Sequence, residues 1–334
     1  MMRTPAHWYP EDRAPTLWAK LLAPLGRLYT FGSARRVART KTAYRAQIPV
    51  ICAGNITAGG SGKTPLVADL MQRLSDHNRR PCVISKGYGA KSLSGPLRVD
   101  PNRHSAEDVG DEPLFLSAFG AVIVAPDRPS AIQQAQADGF DIVILDDGFQ
   151  DPSVDKDLSI VVIDAAKGFG NGLGIPAGPL REDIDAGLRR ADMIVSLGPE
   201  AAQTHLTTEL AHHTPRPRAI GALEALPTGM PWDGQRCIGF AGIAAPERFL
   251  KTLHLLGAQV VHFEALGDHE VINPRLFERL QTRAWAEDAI LVTTEKDAAR
   301  LTAQQRPHVT PVPVRIHWRD AEALDRMLER FISE

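Results

Sequence analysis

From residue 48 onward, short apolar runs alternate with longer stretches whose apolar residues recur every three or four positions. The runs at 48–53, 82–85, 121–125, 142–145, 160–164 and 193–197 are short and nearly unbroken by polar residues. That pattern predicts strands buried on both faces. Between them, residues 65–74 set Leu66, Val67, Leu70, Met71 and Leu74 on one helical face, and 129–137 and 182–190 read as further helices. Strands alternating with helices predict an α/β fold, a mostly parallel sheet with helices on both faces. Prolines at 215, 217, 227 and 231 break the rhythm and predict a hinge over 216–230, closing a core domain of 48–215. Beyond it come strand runs at 237–241, 259–264, 290–294 and 312–318 and helical stretches at 246–256, 274–285 and 321–332. They predict a smaller α/β domain over 231–334.

The first 47 residues have a different character. Leu17, Trp18, Leu21, Leu22, Leu25, Leu28 and Tyr29 recur at helical spacing over 14–30, with Pro24 expected to kink or split the helix. Nine Lys/Arg against two acids give this segment a charge of +7, within a chain whose net charge is −2. A Leu/Trp stripe beside basic residues suits a helix lying on an anionic membrane surface, whereas the same stripe also suits a helix packed on the protein body. No run of about 18 apolar residues is present to span a bilayer, and Lys20, Pro24 and Arg27 interrupt any signal-peptide core. The three cysteines, Cys52, Cys82 and Cys237, stand far apart in apolar surroundings. They read as buried reduced thiols rather than as a metal or redox motif. The composition, 43% hydrophobic and 23% charged, excludes disordered, collagenous and disulfide-framework classes.

The clearest chemistry lies in Gly54-Asn55-Ile56-Thr57-Ala58-Gly59-Gly60-Ser61-Gly62-Lys63-Thr64-Pro65, between an apolar strand and an amphipathic helix. This is the setting of a P-loop, whose backbone N–H groups cradle phosphates. Residues 57–64 are the expected nucleotide contacts, Lys63 for the β/γ-phosphates and Thr64 for Mg2+. Thr57 stands where the strict pattern has glycine. Asp146 and Asp147 follow the run 142–145 and are the expected second acid site for Mg2+. Arg128 and Arg181 are candidates to neutralise the transferring phosphoryl group or a substrate phosphate.

Three classes of P-loop protein compete. A GTPase switch lacks its guanine-reading motif, since Thr294-Glu295-Lys296-Asp297 has the wrong spacing. A dimerising partition-type ATPase lacks its extra lysine, which Ala58 replaces. Both absences count against these readings without excluding them. The third class is a kinase for a small or lipid substrate, which needs an acceptor site and a base, with a non-kinase ATPase switch binding a membrane partner as the alternative.

Several segments occur in a specific order: 54–65, Ser85-Lys86-Gly87-Tyr88-Gly89, Gly110-Asp111-Glu112-Pro113, Asp146-Asp147-Gly148-Phe149-Gln150, Gly178-Pro179-Leu180-Arg181-Glu182, Asp268-His269 and Thr294-Glu295-Lys296-Asp297. Together they resemble the tetraacyldisaccharide 4'-kinase (lipid A 4'-kinase) family over nearly the whole chain. The sequence departs from the family pattern at Ala90, where arginine is usual, and at Asp151, where histidine is usual. The resemblance implies transfer of the γ-phosphate of ATP to the 4'-hydroxyl of an acylated glucosamine disaccharide 1-phosphate, with Mg2+ as cofactor. It implies a peripheral enzyme on the cytoplasmic face of the bacterial inner membrane, with no nucleic acid and no obligate protein partner. It also assigns Asp111 as base, paired with His269, and Glu112 to the metal. Gln150 is expected to orient the metal shell or the acceptor, and Lys296 and Asp297 to lie near the nucleotide base.

Overall fold

The computed structural model describes residues 5–39, 43–91, 93–268 and 270–332. Eight strands of one large sheet come first: β1 (Val50–Gly54), β2 (Pro81–Ser85), β3 (Leu97–Arg98), β4 (Ala121–Val124), β5 (Ile142–Asp146), β6 (Leu158–Asp164), β7 (Met193–Leu197) and β8 (Arg218–Ala225). A smaller, all-parallel sheet follows, built from β9 (Arg236–Ala241), β10 (Gln259–Ala265), β11 (Ile290–Thr294) and β12 (Val309–Val312) in the order β10-β9-β11-β12. The last strand, β13 (Val314–Asp320), returns to the first sheet. Its order is β13-β8-β7-β6-β1-β5-β2-β4-β3, parallel except at the two edge pairs.

Successive side chains of a strand point to opposite faces, and the central strands use both. Ile51 and Ala53 of β1, with Ile142 and Ile144 of β5, pack in one core under the helix Lys63–Asp76 and the C-terminal helix Glu322–Ile332. Val50, Cys52, Val143 and Leu145 face the opposite core, beneath the helices Arg128–Ala137 and Ile184–Arg190. Burial on both faces is why these strands read as unbroken apolar runs. All three cysteines are buried and unpaired, as expected of structural thiols.

The expected hinge at 216–230 is corrected by the topology. Most of it is β8, which pairs with β7 on one side and with β13 on the other. The expected strand at 312–318 divides at Pro313, with β12 in the small sheet and β13 in the large one. Residues 314–332 therefore belong to the large domain, and the small domain is an insertion between β8 and β13. The sequence misses β8 because it pairs near the sheet edge, where only part of the strand is buried and the apolar run is broken.

The N-terminal helix Leu17–Arg39 is a single element with Pro24 inside it, neither split nor ended there. Leu17, Trp18, Leu21, Leu25 and Leu28 form one exposed face, between 54% and 75% accessible. Its inner side approaches the loop after β6 so closely that a Cβ on Gly26 would lie 2.6 Å from the carbonyl oxygen of Gly174. Among the described residues, no helix is long and apolar enough to cross a membrane.

Candidate active site

Because β1 and β5 are parallel neighbours, with Ala53 opposite Asp146, their carboxyl ends deliver the glycine-rich loop and the acid pair to one place. Open α/β sheets bind ligands at such ends. Gly54 is required there, since a Cβ would overlap that of Phe149 from the acid loop. The buried Asn55 donates from Nδ2 to Ser61 Oγ at 3.1 Å, closing the loop across its base. Gly62 precedes the helix with φ +91, in the left-handed region that favours glycine. The helix then opens on Lys63 and Thr64, its free N–H groups and dipole favouring an anion.

The far side of the loop is zipped to residues 179–181. The Arg181 N–H donates to Ile56 O at 2.8 Å and the Ala58 N–H donates to Pro179 O at 2.7 Å. Thr57 forms an antiparallel bridge with Leu180. This pairing accommodates threonine where the usual pattern has glycine. It also engages the Ala58 amide with the Pro179 carbonyl.

Asp146 is 4% exposed and its Oδ1 has no hydrogen-bond partner. Burial, then the charges of Glu112 and Asp147, push its carboxyl up to about 7. Asp147 has φ 51, rare for a residue with a side chain. Burial works to raise its pKa, but Lys63, 3.6 Å away, and Arg181 outweigh that and hold it below the usual carboxylate range. Arg181 Nη1 reaches both Asp147 oxygens, at 2.9 and 3.0 Å.

Arg128, 3% exposed, lies behind this turn. Its Nη2 donates to the carbonyls of Asp146 (3.1 Å) and Asp147 (2.9 Å), and its Nη1 to Asp151. Gln150 Nε2 donates to Asn55 O at 2.6 Å and to Glu182 Oε1 at 2.9 Å. Glu182 in turn pairs with Arg190, whose guanidinium lies 4.5 Å from the centre of the Phe149 ring. The sequence does not point to Glu182 and Arg190 as site residues, because the contacts that bring them there are made with Gln150 and Phe149, distant along the chain.

The opposite wall comes from both domains. Asp111 and Glu112 open the helix Asp111–Leu116, and Lys296 and Arg300 come from the helix Glu295–Arg300 of the small domain. Lys296 Nζ lies 3.0 Å from Glu112 Oε1 and 3.6 Å from Asp111 Oδ2. Burial alone would lower the Lys296 pKa, but the Glu112 and Asp111 carboxylates raise it overall. Arg300 Nε donates to Asp111 Oδ2 at 3.1 Å and its Nη1 to Asp297 Oδ1 at 2.7 Å. The buried Asp297 also accepts from the Gly242 N–H at 3.1 Å. Lys296 and Asp297 thus tie the small domain to itself and to Asp111 and Glu112. A second clasp joins Arg248 Nη2 to Asp164 Oδ2 at 2.5 Å. His269 lies outside the described residues.

The family model described as "LpxK: Tetraacyldisaccharide-1-P 4'-kinase" matches residues 18–333. Proteins named tetraacyldisaccharide 4'-kinase from Dinoroseobacter shibae and Jannaschia sp. are 48% and 47% identical to this chain. The alignments cover 98% and 99% of it, and 97% and 100% of those proteins. The chain belongs to the tetraacyldisaccharide 4'-kinase family. A crystal structure of LpxK from Aquifex aeolicus in complex with ATP has the same architecture. Its TM-score is 0.75 at 27% identity, over 95% of this chain and 100% of that one. In this chain the sequence-predicted Lys63, Asp147 and Arg181 meet in one ion-paired cluster, with Thr64 beside Lys63 and Asp146 beside Asp147, while Glu112, joined to Asp111 through Lys296, acts on Asp146 through its charge.

Among the described residues, no group of three or more His, Cys, Asp or Glu side chains forms a self-sufficient metal site. Mg2+ commonly takes only one or two carboxylates, plus substrate phosphates and water. The partnerless buried oxygen of Asp146, beside Asp147, is the kind of donor such an ion needs.

Proposed function

We propose that the chain phosphorylates the 4'-hydroxyl of a tetraacyldisaccharide 1-phosphate with the γ-phosphate of ATP, as a step of lipid A biosynthesis. The observation that carries this reading is the convergence on Asp146, whose buried Oδ1 has no hydrogen-bond partner, of the charges of Lys63 from the phosphate cradle and of Glu112, the neighbour of Asp111, from the carboxylate wall. Phosphoryl transfer needs positioning and charge neutralisation more than covalent help from the protein.

Lys63 and the first N–H groups of its helix hold the β/γ-phosphates. Arg181, 25% exposed beside them, supplies the second cation. Both terminal nitrogens of Arg128 are engaged with protein oxygens, so it serves this reading as a brace rather than a phosphate ligand. Thr64, Asp146, Asp147 and Glu112 are the residues to hold Mg2+, which supplies charge neutralisation on the phosphate oxygens. Asp111 takes the proton of the 4'-hydroxyl onto a carboxylate oxygen, oriented by Arg300 and Lys296 and, in this reading, by His269.

The substrate is an acylated lipid, and the exposed Leu/Trp face of the helix Leu17–Arg39 offers a means of reaching it. Seated at the interface, with Lys20, Arg27, Arg35 and Arg36 near anionic headgroups, the helix makes the enzyme peripheral on the cytoplasmic face of the inner membrane. Arg39 belongs to that basic cluster by sequence, but its side chain is outside the described structure, as is Lys41.

The deciding experiment supplies γ-labelled ATP, Mg2+ and tetraacyldisaccharide 1-phosphate in mixed micelles. Labelled bis-phosphorylated glycolipid is expected, with little hydrolysis when the lipid is omitted. ATP hydrolysis indifferent to the lipid, with no labelled lipid product, would instead support an ATPase switch.

A further inference from the structure

Asp151 lies just beyond the acid turn, and the hydrogen bonds and ion pairs of its side chain and carbonyl are with Arg128, Lys86, Ser153 and Lys156. Its Oδ2 accepts from Arg128 Nη1 and lies 3.1 Å from Lys86 Nζ. Its Oδ1 accepts the Ser153 N–H at 3.0 Å, and its carbonyl accepts from Lys156 Nζ at 2.6 Å. Three cationic side chains therefore meet on one residue.

The consequence lies at the other end of Arg128. Its Nη2 bridges the carbonyls of Asp146 and Asp147, the peptide oxygens on either side of the Asp147 N–Cα–C unit. That residue has the unfavourable φ of 51, a conformation that persists only when its surroundings hold it. The Arg128 fork is such a hold, because it fixes the two peptide planes that set the direction of both carboxylates. A buried guanidinium without a counter-ion does not remain passive in such a place. Other anions that feel the Arg128 charge are the carboxylates of Asp146 and Asp147.

We infer that Asp151 is a positioning residue for phosphoryl transfer: it holds Arg128 on the carbonyl oxygens of the acid turn and away from the Asp146 and Asp147 carboxylates. Asp146 Oδ1, which has no hydrogen-bond partner, is thereby left available to a metal–nucleotide, while Asp147 keeps its pairing with Arg181 and Lys63. Lys86 supports the arrangement from the solvent side. The inference rests on the reading of Asp146 and Asp147 as metal-side groups.

The test measures binding of methylanthraniloyl-ADP to the full chain with and without Mg2+, alongside kcat. Asp151→Asn, which keeps the shape and loses the charge, should weaken Mg2+-dependent binding about tenfold and leave Mg2+-free binding within about twofold. Its kcat should fall by about 10–50-fold, while Asp151→Glu should recover most of both losses. A merely structural role would move both affinities together with the thermal midpoint, and that result overturns the inference, as does an Asp151→Asn chain with unchanged Mg2+-dependent binding and kcat. If Asp151→Asn does not fold, Lys86→Gln serves in its place, since it touches only the outer partner. A two- to fivefold loss confined to Mg2+-dependent binding is then expected, on the order of a weakened exposed ion pair, and no change overturns the inference. Asp146→Asn separates the two levels. If it leaves Mg2+-dependent binding intact, the metal reading itself fails. If it abolishes that dependence while Asp151→Asn has no effect, only the role of Asp151 fails.

Discussion

Asp111 and Arg300 come from different domains and form one hydrogen-bonded ion pair, with the guanidinium 3% exposed and bonded on its other side to Asp297. The proposed base is therefore oriented by the domain across the cleft, and its charge is matched by a cation that cannot easily leave.

Residues that act as a unit lose function non-additively. Asp111→Ala is expected to lower kcat by about 10²–10⁴-fold, the range for a lost general base, with the KM for ATP nearly unchanged. Arg300→Ala should cost less, and the double variant should be little worse than Asp111→Ala. The same cycle applies to Asp111 and His269. Strictly multiplicative kcat losses in either cycle would show that the two residues act independently.

Lys63→Ala removes the fixed cation beside the acid turn. A loss of about 10²–10³-fold or more in kcat is expected, as for other preorganised charges on a developing anion. Thr64→Ala should instead raise the Mg2+ concentration needed for half-maximal rate. Near-normal phosphate transfer by Lys63→Ala would rule out the cradle as the nucleotide site.

Asp146 makes a pH prediction whose sign follows from linkage. Its folded-state pKa is about 7, against an ordinary value of 3.8. Between those values the folded chain keeps a proton that the unfolded chain has released. Stability from this group therefore falls as pH rises across that window and levels off above it. Asp146→Asn should accordingly raise the thermal midpoint relative to the parent at pH 8, with a smaller gain at pH 5. Melting curves at the two pH values check this; an equal effect at both would show that Asp146 titrates normally.

The exposed face of the N-terminal helix can be altered without touching the core. Replacing Leu21, Leu25 and Leu28 with Gln should sharply weaken sedimentation with anionic vesicles, since each buried Leu contributes about 1.5–3 kcal/mol. Neutralising Arg35 and Arg36 should weaken it by about 1 kcal/mol each, and high salt should mimic that change. Melting temperatures should hardly move, because these leucines are solvent-exposed in the folded chain. Unchanged vesicle binding by the triple variant would dissociate the helix from the membrane.

Gly54→Ala should be strongly destabilising, since the added Cβ overlaps that of Phe149 at the crossing of the two site loops. Overpacking of this kind costs about 1–3 kcal/mol. A melting temperature equal to the parent's would mean that the loops separate at little cost.

The sequence by itself determined the local elements that carry the chemistry. Strands buried on both faces must be continuously apolar, so β1, β5, β6 and β7 were legible as runs. A phosphate loop must be glycine-rich between a strand and a helix, so 54–65 announced its own structure. The Leu/Trp face of the N-terminal helix was visible as a stripe, but whether it met water or protein was not, because both settings select the same spacing. Tertiary structure decided that, leaving the stripe exposed. It also decided that β8 and β13 close the large sheet around an inserted small domain. Strand pairing at an edge depends on partners about 90 residues apart, here Ala225 and Val314, and one broken apolar run does not encode its partner. For the same reason Arg128 read as a phosphate ligand from its place after a strand, whereas folding set it against the carbonyls of Asp146 and Asp147. A guanidinium binds whichever oxygens the fold brings to it, and only the folded chain settles which those are.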